Sequence, residues 1–345
     1  MEGILRAWGK ILAGRTPLLS IEITRECPLH CPGCYAYGAE HLGGGILLRQ
    51  LNDLKGQELV DGVLRLIKQY KPLHVSLVGG EPLVRHRELS ELLPKMAKAG
   101  IHTQIVTSAV RPVPAQWASI PLLQLVVSID GLQPEHDQRR KPATYERILQ
   151  NIRGQRMVVH CTVTHQQVQR EGYLDEFVHF WSQQETIRRI WMSLYTPQKG
   201  EISAEKLTPD DRNRVVNDLR MLAKKYPKLE MPERMLQVFA SPPSSPNDCV
   251  FSKITTCVSA DLEKRITPCQ FGGDPDCANC GCLASAGFGA ISRYRLPTGL
   301  SVGKLFDASI AVGNAVNRLH SHNGVKPLTD SGKFFFDGQE DKAVK

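Results

Sequence analysis

No window of the chain approaches the ~20 consecutive apolar residues that a membrane-spanning helix needs, so the sequence predicts no transmembrane segment. The N-terminus also lacks the continuous apolar core and small-residue cleavage site of a secretory signal. No long basic block accompanies the formal net charge of +8. That excess permits an anionic partner but reads first as solvated surface, with no clear nucleic-acid site. The sequence also lacks scattered cysteines. Of its ten, only Cys161 stands alone, the others falling within 27–34 and 249–282. In a chain of 345 residues such clustering excludes a small secreted disulfide scaffold and points to metal binding in a reducing cytosol. The expected localisation is therefore cytoplasmic. Apolar content of 41% and charged content of 23% suit a large globular domain with a smaller one attached.

The first cluster lacks a fourth member. Cys27, Cys31 and Cys34 follow the apolar stretch Ile21-Glu22-Ile23 with three and then two intervening residues. Three thiolates on one short loop can face a common centre, as soft iron or zinc requires. A structural zinc site normally closes with four protein ligands. Three leave one corner open, and on an iron–sulfur cluster that corner is where a small molecule chelates. A zinc knuckle and an iron–sulfur site both remain open at this spacing.

From residue 18 onward, short apolar runs alternate with longer helical patterns. Strands are predicted at 18–24, 73–78, 101–107, 122–129, 156–164 and 188–195. Helices are predicted at 54–70, 86–99, 142–153 and 171–184, with a weaker one near 113–119. In the first of these, Leu59, Val60, Val63, Leu64 and Ile67 recur at three- and four-residue steps. Strand–helix alternation implies parallel strands with right-handed crossovers. The predicted fold is α/β, a partial (β/α)6 TIM-like barrel over 18–200. A helical connector with a Pro/Ser-rich linker over 201–248 and a Cys-rich unit over 249–345 follow. Barrel chemistry sits at the C-terminal ends of the strands, which is where the Cys27 loop falls.

Other polar stretches fall at the same end. Gly79-Gly80-Glu81-Pro82 follows the second strand, its glycines allowing close backbone approach and Glu81 offering an acceptor for an ammonium group. Ser108 ends the third strand. The fourth ends in Ser128-Ile129-Asp130-Gly131, followed by His136-Asp137-Gln138-Arg139-Arg140.

With the Cys-x3-Cys-x2-Cys loop, these stretches resemble the signature of radical S-adenosylmethionine (SAM) enzymes. The resemblance implies a [4Fe–4S] cluster held by Cys27, Cys31 and Cys34, with SAM chelating the fourth iron. It further implies reductive cleavage of SAM to a 5′-deoxyadenosyl radical that abstracts a substrate hydrogen, with electrons from a flavodoxin or ferredoxin. It places Gly79, Gly80, Glu81 and Pro82 at the methionine amino group. Ser108, Ser128, Asp130 and Arg139 fall at the methionine carboxylate or ribose, and Val163 at the adenine. One position departs. Where many members carry an aromatic just before the third cysteine, this chain has Gly33, and Tyr35 or Tyr37 is the substitute on offer.

The second cysteine group comprises Cys249, Cys257, Cys269, Cys277, Cys280 and Cys282. The segment between Cys257 and Cys269 reads as a hairpin that brings its ends together. Cys277-Ala-Asn-Cys280-Gly-Cys282 adds a tight turn, and such a set suits zinc or a four-iron cluster. The layout resembles the auxiliary-cluster extensions called SPASM and twitch domains, through Pro268-Cys269 and Cys277-x2-Cys280. The expected Gly-x4-Cys and any cysteine beyond 282 are missing, which implies one auxiliary [4Fe–4S] cluster. Cys257, Cys269, Cys277 and Cys280 are its expected ligands, with Cys282 a competitor and Cys249 a distant ligand or a spare.

SPASM-type relatives commonly modify peptides or proteins, making these the first expected substrate class. Only 26 residues precede Cys27, leaving little room for a leader-binding domain, which weakens that expectation. A lipid or isoprenoid is the rival. It is motivated by an amphipathic N-terminal helix (Ile4, Leu5, Trp8, Ile11, Leu12) that can lie against a membrane surface or close the bottom of the barrel. A zinc-bound, non-catalytic binding protein is the alternative of a different class. The three phenylalanines Phe334–Phe336 are expected to dock on the barrel or a partner.

Overall fold

Six of the apolar runs form six parallel strands laid side by side in chain order. They are β1 (Leu18–Glu22), β2 (His74–Val78), β3 (His102–Thr107), β4 (Leu123–Ser128), β5 (Met157–Val163) and β6 (Ile187–Leu194). This computed structural model describes residues 8–38, 41–42, 52–142, 145–296, 299, 301–320 and 328–330. Helices Gly56–Tyr70, His86–Lys98, Tyr145–Asn151 and Tyr173–Gln183 provide four of the connections. Between β3 and β4 the chain makes only the short turn of helix Ala115–Ser119.

The strand period of two decides which side chains meet these helices. Leu19, Ile21, Val75, Leu77, Val127 and Val159 point outward into one apolar cluster with Leu59, Val63, Leu89 and Trp181 of the helices. Helix Gly56–Tyr70 buries Leu59, Val60, Val63 and Leu66, a stripe at helical spacing. Full burial of each such side chain stabilises by about 1.5–3 kcal/mol, and Val63→Asp would break the stripe. The alternate residues, among them Ser20, Ser76, Ser128 and His160, share the concave face.

The sheet does not close, since β6 forms one edge and the far edge is built from the cysteine-rich part of the chain. β7 (Thr255–Val258) runs parallel to β1, β8 (Lys264–Ile266) turns back antiparallel, and β9 (Thr329–Asp330) completes nine strands. The predicted hairpin therefore forms, but as a continuation of the barrel sheet. An edge strand such as β1 presents unpaired backbone groups that a further strand can satisfy.

The described part of the N-terminal helix, residues 8–12, has a covered apolar face. Trp8 donates its indole N–H to Ser309, Ile11 is buried, and the Ile11 backbone lies so close to Gly313 that no side chain fits there. Helix Val302–His320 thus covers part of the face that the membrane-surface reading required. Residues 1–7 and the Phe334–Phe336 tail lie outside the described residues. Among the described residues no helix is long and apolar enough to cross a membrane.

Candidate active site

The loop carrying Cys27, Cys31 and Cys34 leaves the C-terminal end of β1 and is tied to the turn after β2. Gly80 N–H donates to the Thr24 carbonyl at 2.8 Å, and Glu81 N–H to the Glu26 carbonyl at 2.8 Å. A Cβ on residue 80 would come within 2.2 Å of the Glu26 oxygen, which explains the need for glycine. A second clamp holds the loop from below. Asp53 accepts from Thr24 Oγ1 at 3.1 Å, from Arg25 N–H at 3.3 Å and from Arg85, whose other nitrogen reaches Glu26 at 3.1 Å. Hydrogen bonds from Arg85 and Lys55 bring the Glu26 carboxyl down to about 2.

All three thiols are free of disulfides. Burial pushes Cys27 up to about 12 and raises Cys31 and Cys34 as well. Desolvated thiols ionise when a cation stands beside them, so the donor set fits an iron centre.

The Glu81 carboxylate is not where the sequence placed it. It turns toward β3 and accepts from Leu83 N–H at 2.9 Å, Ser108 N–H at 2.8 Å, and the hydroxyls of Thr107 and Ser108. Four internal donors saturate it. Ser108 is consumed in the same network.

At the end of β4 the charges are also internally paired. Asp130 accepts from Thr162 N–H at 2.9 Å, from Arg140 Nε at 2.6 Å and from Arg139. Burial acts to raise its pKa, but Arg140 and Arg139 more than offset this and hold the carboxyl well below its usual range. His136 Nδ1 accepts the Asp130 backbone N–H at 3.2 Å. Arg139 is further closed by a bidentate pair with Glu205 at 2.9 and 2.7 Å. Among the described residues Arg140 binds only Asp130, and it is among the groups acting on Cys31, where it opposes the effect of burial. Of the two adjacent arginines, Arg140 is therefore better placed for a ligand carboxylate. Nothing in the sequence separated them, because Glu205 arrives from 66 residues away.

Ser128 lies on the concave face, as the site requires. Val163 does not. It shares the parity of Val159 and Cys161 and is wholly buried in the outer core, so alternation turns it away from any adenine. Tyr35 and Tyr37 are engaged elsewhere, Tyr35 accepting from Gln270 at 2.6 Å and Tyr37 donating to the Arg25 carbonyl. A further aromatic beside the loop is Tyr195, just past β6, whose phenol crowds Gly33 and donates to Glu201. No sequence spacing pointed to it.

Five thiols of the second group, Cys249, Cys269, Cys277, Cys280 and Cys282, surround one hollow together with Phe271 and Thr196. Cys257 does not line it and packs among Ala36, Leu42, Ala260 and Ile266. The segment after β6 fastens this hollow to the barrel through Leu194 N–H to the Gly281 carbonyl at 2.9 Å, Gly281 N–H to Thr196 at 2.8 Å and Asp276 N–H to the Pro197 carbonyl at 2.9 Å. Four thiolates on one zinc, each ~2.3 Å from the metal, lie only about 3.8 Å apart. Among the described residues no three His, Cys, Asp or Glu side chains converge to hold a single ion. Five thiols are enough donors for a zinc site or for a four-iron cluster.

Residues 21–165 match the model of the Radical SAM superfamily, and this part of the chain is a radical SAM domain. Domains of this class are found in enzymes and use a [4Fe–4S] cluster and SAM. The chain is 33% identical over 121 residues to the PqqA peptide cyclase of Rhizobium meliloti, covering 34% of this chain and 30% of that one. It is 32% identical over 102 residues to the 7-carboxy-7-deazaguanine synthase of Hyperthermus butylicus, covering 30% and 39%. The chain thus spans 30 to 39% of the length of these curated relatives. The fold resembles that of Streptococcus suis SuiB bound to S-adenosylmethionine, with TM-score 0.56 and 19% identity over 74% of this chain and 60% of that one. It also resembles anSMEcpe with bound AdoMet, with TM-score 0.54 and 13% identity over 88% and 98%.

Proposed function

We propose that this protein is a radical SAM enzyme that abstracts hydrogen from a peptide or protein substrate. The carrying observation is the three-thiol loop after β1, hydrogen-bonded through Thr24 and Glu26 to the Gly80–Glu81 turn. Cys27, Cys31 and Cys34 would hold the catalytic cluster. The backbone of 79–82 would receive the methionine amino group, and Ser128 with Arg140 its carboxylate or ribose. Tyr195 offers the ring that Gly33 does not. When bound, the cluster and SAM supply the hydrogen-abstracting 5′-deoxyadenosyl radical, with electrons from a flavodoxin or ferredoxin. The protein orients the reactants and keeps water out.

The hollow lined by Cys249, Cys269, Cys277, Cys280 and Cys282 is our candidate for one auxiliary [4Fe–4S] cluster, with one thiol to spare. Support for a peptide substrate comes from the relatives, one named a peptide cyclase and one structure titled SuiB bound to precursor peptide SuiA. That Trp8 and Ile11 meet helix Val302–His320 supports the peptide reading over the lipid one.

The test is anaerobic purification with iron and sulfide analysis, followed by reduction with SAM and deuterated peptide extracts. About eight irons and deuterium in 5′-deoxyadenosine are expected. Absence of iron, or of 5′-deoxyadenosine, would overturn the proposal, and deuterium arriving only from a non-peptide fraction would overturn the substrate class.

A further inference from the structure

His160 is a titratable group that the chemistry above leaves unused. On β5 it stands level with Ser128 of β4 and Trp191 of β6. Alternation turns it to the concave face, opposite Val159 and Cys161 in the outer core. Its Nε2 lies 2.7 Å from Ser193 Oγ. The same oxygen accepts the backbone N–H of Leu283 at 3.3 Å. Leu283 opens the helix that follows Cys282, so the cysteine-rich part of the chain fixes the orientation of Ser193. An Oγ that accepts the Leu283 N–H keeps its own hydroxyl hydrogen to give to Nε2, and where it is given that nitrogen is the acceptor.

Burial lowers the imidazole pKa to about 4, with Asp130 opposing and Arg140 and Arg139 adding to the effect. The neutral ring then carries its one hydrogen on Nδ1. Among the described residues Ser193 is the only hydrogen-bond partner of this ring. Asp130, the nearby carboxylate, already accepts from Thr162, Arg139 and Arg140 and has no hydrogen bond to this ring.

We propose that His160 is a substrate-binding residue whose Nδ1–H receives an uncharged carbonyl oxygen, the acceptor a peptide group presents. This rests on the reading that substrate lies on the concave face. A hydrocarbon would leave the N–H unpaired, a desolvation cost without return. A substrate carboxylate would bring a charge into a site where Arg139 is committed to Asp130 and Glu205 and Arg140 is assigned to the carboxylate or ribose of SAM.

The test is nitrogen-15 NMR of histidine-labelled, oxidised holoenzyme, with His160→Gln identifying the signal. The wild-type ring is expected as the neutral Nδ1–H tautomer at pH 7. Its Nδ1 resonance should shift on titration with millimolar N-acetylalanine methylamide, a neutral diamide. Ser193→Ala should give a mixture of both tautomers, since nothing then reserves Nε2. An Nε2–H tautomer in the wild type, or an Nδ1 signal indifferent to the diamide, would overturn the proposal. Release of 5′-deoxyadenosine is measured on the same sample. Its absence beside a positive NMR result would overturn the enzymatic reading and leave the carbonyl-binding site standing.

Discussion

The phenol of Tyr195 occupies the place that a side chain at residue 33 would need. A Cβ built on Gly33 falls 2.5 Å from the Tyr195 oxygen and 2.6 Å from its ring, and the Gly33 backbone has φ +61°. Both facts demand glycine, and the first arises from Tyr195, just past β6 and more than 150 residues away. Gly33→Ala is expected to destabilise by about 1–3 kcal/mol from the left-handed backbone alone, with the displaced tyrosine adding to it. Urea unfolding of Gly33→Ala, Tyr195→Ala and the double variant measures the coupling. Strict additivity would show that the contact carries no energy.

Cys31→Ala is expected to lower the iron content from about eight to about four per chain and to abolish 5′-deoxyadenosine. The remaining irons would belong to the second thiol group. Iron analysis with the characteristic visible absorption checks this. A variant that still makes 5′-deoxyadenosine would remove Cys31 from the ligand set.

The second group separates its members by position. Cys269 borders the hollow and Cys257 does not. Cys269→Ser is therefore expected to lose about four irons. Cys257→Ser should keep the full complement while losing about 1–3 kcal/mol through a buried, unpaired hydroxyl. Loss of iron in Cys257→Ser would restore it as a ligand.

Acid should weaken the fold before the carboxylates titrate. Burial holds His74, His136 and His160 near a pKa of about 4, below the ordinary histidine value of about 6.5. As pH falls below about 6.5 the unfolded chain takes protons that the folded chain refuses, so stability drops between about 6.5 and 4 and then levels off. Each tenfold difference in proton affinity is worth about 1.4 kcal/mol. His41 opposes the trend. Burial acts to lower its pKa, but Glu22 at 2.7 Å and the Phe271 carbonyl at 2.9 Å raise it. Its contribution is complete below about 6.5 and is lost as pH rises through the folded value. Thermal unfolding at pH 7.5, 6 and 5 should show a falling Tm with acid, shallower in His136→Gln. A Tm that rises toward pH 5 would contradict this sign.

The clamp beneath the first loop gives a further expectation. Arg85→Ala leaves Asp53 buried without its cation, a loss of about 3–5 kcal/mol. It should also loosen the loop enough to lower iron occupancy after reconstitution. Full occupancy with unchanged stability would show that the clamp is dispensable.

Local sequence determined much of this protein. Periods of two and 3.6 residues placed the six strands and most helices within a few positions, because burial of one face is a local pattern. The Cys27–Cys34 loop and the Gly79–Pro82 turn were legible as well, since each packs its chemistry into a few adjacent residues. Tertiary structure decided what those residues have left to offer. Glu81, Asp130 and Arg139 read as free ligands in sequence, and distant donors and carboxylates saturate them in the fold. Val163 lost its role to strand parity, and Cys257 lost its place at the hollow when its hairpin joined β1. Gly33 looked like a missing aromatic, and the fold brings Tyr195 against it from just past β6. The reason is common to all of these: hydrogen-bond saturation and close packing are settled between segments far apart in the chain, where spacing carries no information.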